Sequence, residues 1–212
     1  MDTSKQVAKK IVEHLQVWKH NHAKLVVGID GYAGSGKTTI GSFVAKYDPD
    51  VLPVHLDDFI KHWRERQKMI EDAENKSEVF EYEWYRYDDL MELITAFKEG
   101  KQSINMKLYD FDANDLISPQ TFDLTKQVLV LDGIFLFHPE HEESQMIDKK
   151  IYLDADFEKA DERRRAREQE RFGEDYLPDD HPDNWFQYYK TAYLNYVEKY
   201  NPKERADLVF EV

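Results

Sequence analysis

The chain has 212 residues, enough for one sizeable core and too few for two comfortable ones, so a single domain spanning residues 1–212 is expected. Its 43 acidic against 29 basic residues give a formal charge of −14, which repels polynucleotides and anionic membranes and argues against a nucleic-acid partner. There is no cysteine for a disulfide or thiolate metal site, no apolar run of membrane length and no signal-like start, so a soluble, cytoplasmic protein without a membrane partner is expected.

Near the start, Val7, Ile11, Leu15 and Trp18 recur at spacings of three and four and predict one apolar stripe on a helix. Residues 24–29 read as a buried strand that feeds directly into Gly31-Tyr32-Ala33-Gly34-Ser35-Gly36-Lys37-Thr38-Thr39, a match to G-x-x-x-x-G-K-[ST]. Such a loop holds phosphates because its glycines accept backbone angles that side chains forbid, letting successive N–H groups turn inward. The candidate cradle for ATP is Gly31, Ala33, Gly34, Ser35, Gly36, Lys37, Thr38 and Thr39, with Lys37 as a mobile charge for the outer phosphates and Thr38 as a hydroxyl for Mg²⁺. The glycine spacing does not fit the dinucleotide pattern G-x-G-x-x-G.

A helix is predicted over residues 39–45, and Asp48-Pro49-Asp50 ends it. Residues 51–56 form a second strand that stops at Asp57-Asp58-Phe59. Carboxylates at the carboxyl end of a strand sit where open α/β sheets bind ligands, which makes Asp57 the candidate general base; a helix N-cap pair is the alternative. Residues 62–77 are charged and read as helical or mobile. The rings of Phe80, Tyr82, Trp84, Tyr85 and Tyr87 then either cover a site or anchor a polar excursion in the core, and both options stay open.

Leu90, Leu93, Ile94 and Phe97 predict an amphipathic helix over 88–98, stopped at Gly100. A strand is expected over 104–110, leading into Tyr109-Asp110-Phe111. Residues 128–133 are an apolar strand closed by Asp132, the candidate acid on the metal side, and 150–154 are a further strand. The basic helix at 157–171 carries Arg163, Arg164, Arg165, Arg167 and Arg171. Its spacing puts Arg164, Arg167 and Arg171 on one face, predicted to meet the nucleotide, with Arg163 turned to solvent; an ordinary solvated face is the alternative. An aromatic helix over 185–200 and a strand over 207–210 close the chain. Strands alternating with helices predict a three-layer α/β fold with a mostly parallel sheet. His138-Pro139-Glu140-His141 reads as a proline-broken polar loop rather than a metal site.

These segments resemble the uridine kinases, within the wider group that includes phosphoribulokinase and bacterial pantothenate kinase. The likeness is carried by Gly31 to Thr39, Leu56-Asp57-Asp58-Phe59, Tyr109-Asp110-Phe111, Leu131-Asp132-Gly133 and the arginine helix. The resemblance implies a P-loop fold with a helical lid that transfers the γ-phosphate of ATP to a hydroxyl of a small metabolite, a nucleoside first and a pantothenate-like or sugar-phosphate acceptor second. It places catalysis on Lys37, Asp57 and Arg167, metal-side chemistry on Thr38, Asp57 and Asp132, further nucleotide contacts on Arg164 and Arg171, and the acceptor at Asp58, Tyr109 and Phe111. Uridine kinases carry a histidine shortly after the Tyr-Asp-Phe run, where this chain reads Asp112-Ala113-Asn114-Asp115-Leu116, and a glutamate where it has Asp132. A nucleotide-binding regulatory protein is the rival from another class, and a base at Asp57 argues against it.

Overall fold

The computed structural model describes residues 3–111, 113, 115–116 and 119–212. Asp112 and Asn114, two of the positions where the chain departs from the uridine kinase pattern, lie outside the described residues. Helix α1 (Ser4–Trp18) starts at Thr3, whose hydroxyl accepts from the Gln6 backbone N–H while the Gln6 side chain takes the Thr3 N–H. Its stripe of Val7, Ile11 and Leu15 is fully buried.

Strands β1 (Leu25–Gly31), β2 (Val51–His55), β7 (Val128–Gly133), β8 (Lys149–Asp154) and β9 (Leu208–Glu211) form a parallel sheet in the order β2-β7-β1-β8-β9. Every residue of β1 and β7 is buried, as central parallel strands covered on both faces require. The pleat sorts their side chains: Leu25, Val27 and Ile29 pack with α1 and α2 (Lys37–Tyr47), whereas Val26 joins the core on the other face. That second face is covered by α5 (Tyr87–Lys98) and α8 (Phe186–Tyr200), through Leu93, Phe97, Tyr193 and Tyr196.

Between β2 and β7 the chain makes a long excursion. It runs through α3 (Trp63–Asp72), a short turn α4 (Lys76–Glu78), a π-helical stretch at Val79–Glu83, α5 and two small hairpins. The hairpins pair β3 (Ser103–Met106) with β6 (Gln120–Asp123) and β4 (Tyr109–Asp110) with β5 (Asp115–Leu116). The expected continuous strand over 104–110 is therefore broken in two, and neither piece joins the central sheet. In the aromatic run Phe80, Trp84 and Tyr85 are buried, and Phe80 stacks on Trp84 at 4.0 Å. A short α6 (Glu142–Gln145) precedes β8, and the basic helix α7 (Phe157–Phe172) starts at Asp156, whose side chain accepts from the Lys159 N–H.

Around α6, His138 and His141 are buried rather than lying in an open loop. His138 Nε2 lies 2.9 Å from Glu81, and the two imidazoles stack at 4.2 Å. Among the described residues no group of three His, Asp or Glu side chains is placed to hold a metal by itself, and no helix is long and apolar enough to cross a membrane.

Candidate active site

The carboxyl ends of β1, β2 and β7 lie side by side, so the segments that leave these strands open onto a common cleft of about 230 Å³. Lining it are Lys37, Thr38, Asp57, Tyr85, Asp132 and Arg167, with Ala33, Gly34, Gly36 and Thr39 completing the loop.

The loop has the geometry its glycines predict. Gly34 and Gly36 take φ of +77° and +93°, left-handed conformations costly for other residues. A Cβ on Gly34 would also lie 2.2 Å from the Ala160 carbonyl oxygen, so α7 crosses the loop too closely for any side chain there. Helix α2 begins immediately after Gly36 and points its free N–H groups at the cleft. The buried Ser35 hydroxyl has no hydrogen-bond partner among the described residues.

Lys37 Nζ donates to the carbonyls of Gly31 at 2.7 Å and Tyr32 at 2.9 Å. Burial pulls its pKa down, while Asp30, Asp132 and Asp57 pull it up. Asp30, at the end of β1, is fully buried and accepts from the Gly31 N–H and the Tyr196 hydroxyl, both at 2.6 Å. Desolvation raises its carboxyl to about 6 despite those bonds and the nearby Lys37.

On the metal side, Thr38 Oγ1 donates to Asp132 Oδ1 at 2.8 Å, and His55 Nδ1 lies 2.5 Å from Asp132 Oδ2. The bond to Asp132 raises the His55 pKa, against desolvation. The hydroxyl of Thr38 and the carboxylates of Asp57 and Asp132 are oxygen donors on one cleft, the donor type that would hold Mg²⁺. Asp57 is exposed at the cleft, at the mouth of the crowded strand ends. Desolvation there raises its pKa, Lys37 opposes it, and the Tyr85 hydroxyl lies 3.4 Å from Oδ1.

Outside this group the expected residues separate. Asp58, raised to about 6 chiefly by desolvation, faces a different depression with Tyr109, Phe111 and Arg171. Tyr109 is buried, accepts from Arg66 at 2.7 Å and meets Phe111 edge to face, and the Arg171 guanidinium sits 5.1 Å from the Phe111 ring. Arg171, in the last turn of α7, is therefore not among the residues that line the phosphate cleft. Arg164 has protein partners of its own. It borders the cleft but is 1% exposed, bonds both oxygens of Asp179 and Glu168 Oε2 at 2.5 Å, and stacks on Phe186 at 3.4 Å. Of the predicted face, Arg167 is exposed and lines the cleft, and Arg163 is exposed.

His55, Tyr85 and Asp30 were not singled out by the sequence. For His55 a signal existed: it ends a strand two residues before Asp57 and pairs in register with Asp132.

Residues 26–212 match the phosphoribulokinase/uridine kinase family. The chain belongs to that family. Membership makes it an ATP-dependent kinase of small molecules, with a three-layer α/β fold around a mostly parallel sheet. It is 27% identical over 194 residues to uridine kinase of Latilactobacillus sakei, covering 88% of this chain and 85% of that one. Among solved structures, a possible uridine kinase from Bacillus stearothermophilus superposes with a TM-score of 0.66 at 22% identity, covering 95% of this chain and 99% of the other. D-glycerate 3-kinase from Cryptococcus neoformans superposes with a TM-score of 0.68 at 13% identity, covering 90% and 89%. At such identities these structures share a fold with the family member described here.

Proposed function

We propose that this kinase transfers the terminal phosphoryl group of ATP to a hydroxyl of a nucleoside-like acceptor, with Asp57 as the base. The observation that carries the proposal is the convergence of Lys37, Thr38, Asp57 and Asp132 on one cleft at the strand ends. Asp57 takes the proton of the attacking hydroxyl as the new oxygen–phosphorus bond forms and the bond to the β-γ bridging oxygen breaks, releasing ADP. Lys37 swings from the loop carbonyls to the outer phosphates, and Arg167 offsets charge on the transferring group. Thr38, Asp57 and Asp132 would hold Mg²⁺, which neutralises charge on the phosphate oxygens. The raised pKa of Asp57 brings it nearer to working pH, where a general base is most effective.

We place this activity in the cytoplasm, where ATP and Mg²⁺ are supplied, and within one catalytic domain. The acceptor is read first as a nucleoside because the curated relatives at 25–29% identity carry the name uridine kinase. ATP consumption with and without a panel of nucleosides, vitamins and sugars tests the proposal. Turnover that rises with a nucleoside supports it; turnover at one rate whatever is added favours a regulatory nucleotide-binding role.

A further inference from the structure

Beside the phosphate cleft, and sharing Glu168, Phe186 and Tyr189 with it, opens a second pocket of about 470 Å³. That volume lies in the range that small-molecule sites occupy. Its walls are aromatic. Phe80 and Trp84 come from the π-helical stretch and its end, while Trp185 and Phe186 come from the start of α8. Trp185 stands edge-on to Trp84 at 6.1 Å, and Phe172 at the end of α7 is 50% exposed at the margin. Aromatic walls of this kind suit the apolar face of a ring.

Geometry ties this pocket to the chemistry. Trp84 lines it while the next residue, Tyr85, lines the phosphate cleft with its hydroxyl toward Asp57. By contrast, the depression at Asp58, Tyr109 and Phe111 shares no lining residue with the cleft. A molecule that presents a hydroxyl to Asp57 therefore has this pocket as the neighbouring one, bounded by the same Glu168, Phe186 and Tyr189.

The polar groups around the pocket decide what that ring can carry. Glu168, Asp175, Asp183 and the guanidinium of Arg66 line it; Glu168 is already bonded to Arg164 at 2.5 Å, which leaves Asp175 and Asp183 as its carboxylates. Arg66 is already engaged: Nε donates to the Lys61 carbonyl at 2.9 Å, Nη2 donates to the Tyr109 hydroxyl at 2.7 Å, and the group lies 4.9 Å over Trp84. Asn184 is engaged as well, its amide donating to the carbonyls of Leu177 and Pro178 and its oxygen accepting from the Phe186 N–H. Asp175 and Asp183 are exposed and offer acceptor oxygens. An incoming phosphate or carboxylate meets repulsion, while an amino group meets partners.

We propose that this pocket receives the ring of the phosphoryl acceptor, and that the acceptor is a planar, amine-bearing alcohol with no phosphate or carboxylate of its own. The inference rests on the kinase assignment above and narrows it, setting sugar phosphates and pantothenate-like acids aside.

Calorimetric titration of the full chain, held with a non-hydrolysable ATP analogue and Mg²⁺, tests this with matched probes. Cytidine is compared with uridine, pyridoxamine with pyridoxine, and D-ribose 5-phosphate and pantothenate serve as anions. The amine-bearing member of at least one pair should bind about tenfold tighter or more, the worth of a hydrogen bond to a charged group. The anions should give no binding. The double variant Asp175→Asn/Asp183→Asn should bring that ratio close to one, and Trp185→Ala should weaken both members alike. Equal binding within both pairs, binding of either anion, a ratio unmoved by the double variant, or silence from every amine overturns the proposal. Transfer from γ-labelled ATP separates the two levels. Label on an anionic acceptor overturns the pocket assignment and leaves the kinase standing, whereas tight amine binding with no acceptor ever labelled overturns the kinase assignment instead.

Discussion

His55 and Asp132 close the ends of two neighbouring parallel strands in direct register, and His55 Nδ1 lies 2.5 Å from Asp132 Oδ2. With Thr38 on the other oxygen, the carboxylate is held from both sides before any metal arrives. Partners of this kind typically account for about ten- to a hundredfold in metal affinity. His55→Ala should therefore raise the Mg²⁺ concentration needed for half-maximal turnover by that factor and weaken Mn²⁺ binding measured directly. An unchanged metal requirement would show that Asp132 needs no such support.

Lys37→Ala removes the charge meant for the outer phosphates. Loss of such a contact costs about 3 kcal/mol of transition-state stabilisation, so turnover should fall a hundredfold or more in a protein that remains folded. Steady-state kinetics with circular dichroism as the folding control is the check, and near-normal turnover would remove the loop from catalysis.

The arginines of α7 should divide by environment. Arg164→Ala removes the partner of Glu168 and leaves Asp179 with Arg165 alone, and should lower stability by about 1–3 kcal/mol, read by denaturant unfolding. Arg167→Ala should leave stability unchanged and lower kcat more than ATP affinity, because its contact matters most when the phosphoryl group is in transit. Arg163→Ala should change neither. Equal effects on kcat from Arg163 and Arg167 would reduce the helix to a solvated basic face.

Asp30 gives the protein a pH signature. Its folded pKa of about 6 exceeds the ordinary 3.8, so the native state holds this proton more tightly than the unfolded chain. Its contribution to stability is full below the ordinary value and is lost as pH rises through about 6. Asp30→Asn should remove that part of the slope between about pH 4 and 6 in a series of denaturant melts. Parallel wild-type and variant profiles would mean Asp30 titrates normally.

What the sequence revealed divides along physical lines. The phosphate loop was legible because its function constrains the backbone itself, and the requirement for glycine at Gly34 and Gly36 is written locally. The alternation of β1, α2 and β2 was equally local. The partners of the arginine face were not legible, because helical spacing places residues on a face without saying what that face meets. Ala160, Asp161 and Arg164 pack inward, and Asp179, fifteen residues beyond Arg164, claims the guanidinium. The break in the strand over 104–110 reflects pairing with β5 and β6, and the pocket walls at Trp84 and Trp185 meet only across the fold. Nothing in a local pattern specifies such meetings.

The most direct test follows the label from γ-labelled ATP in wild type and Asp57→Asn, with a nucleoside acceptor present. Asparagine keeps the shape of the side chain but cannot take the proton, so ATP binding should persist while transfer falls by about a hundredfold to ten-thousandfold. The account predicts label on the nucleoside with wild type and almost none with the variant. Label found only in inorganic phosphate, at the same rate in both proteins, would contradict it.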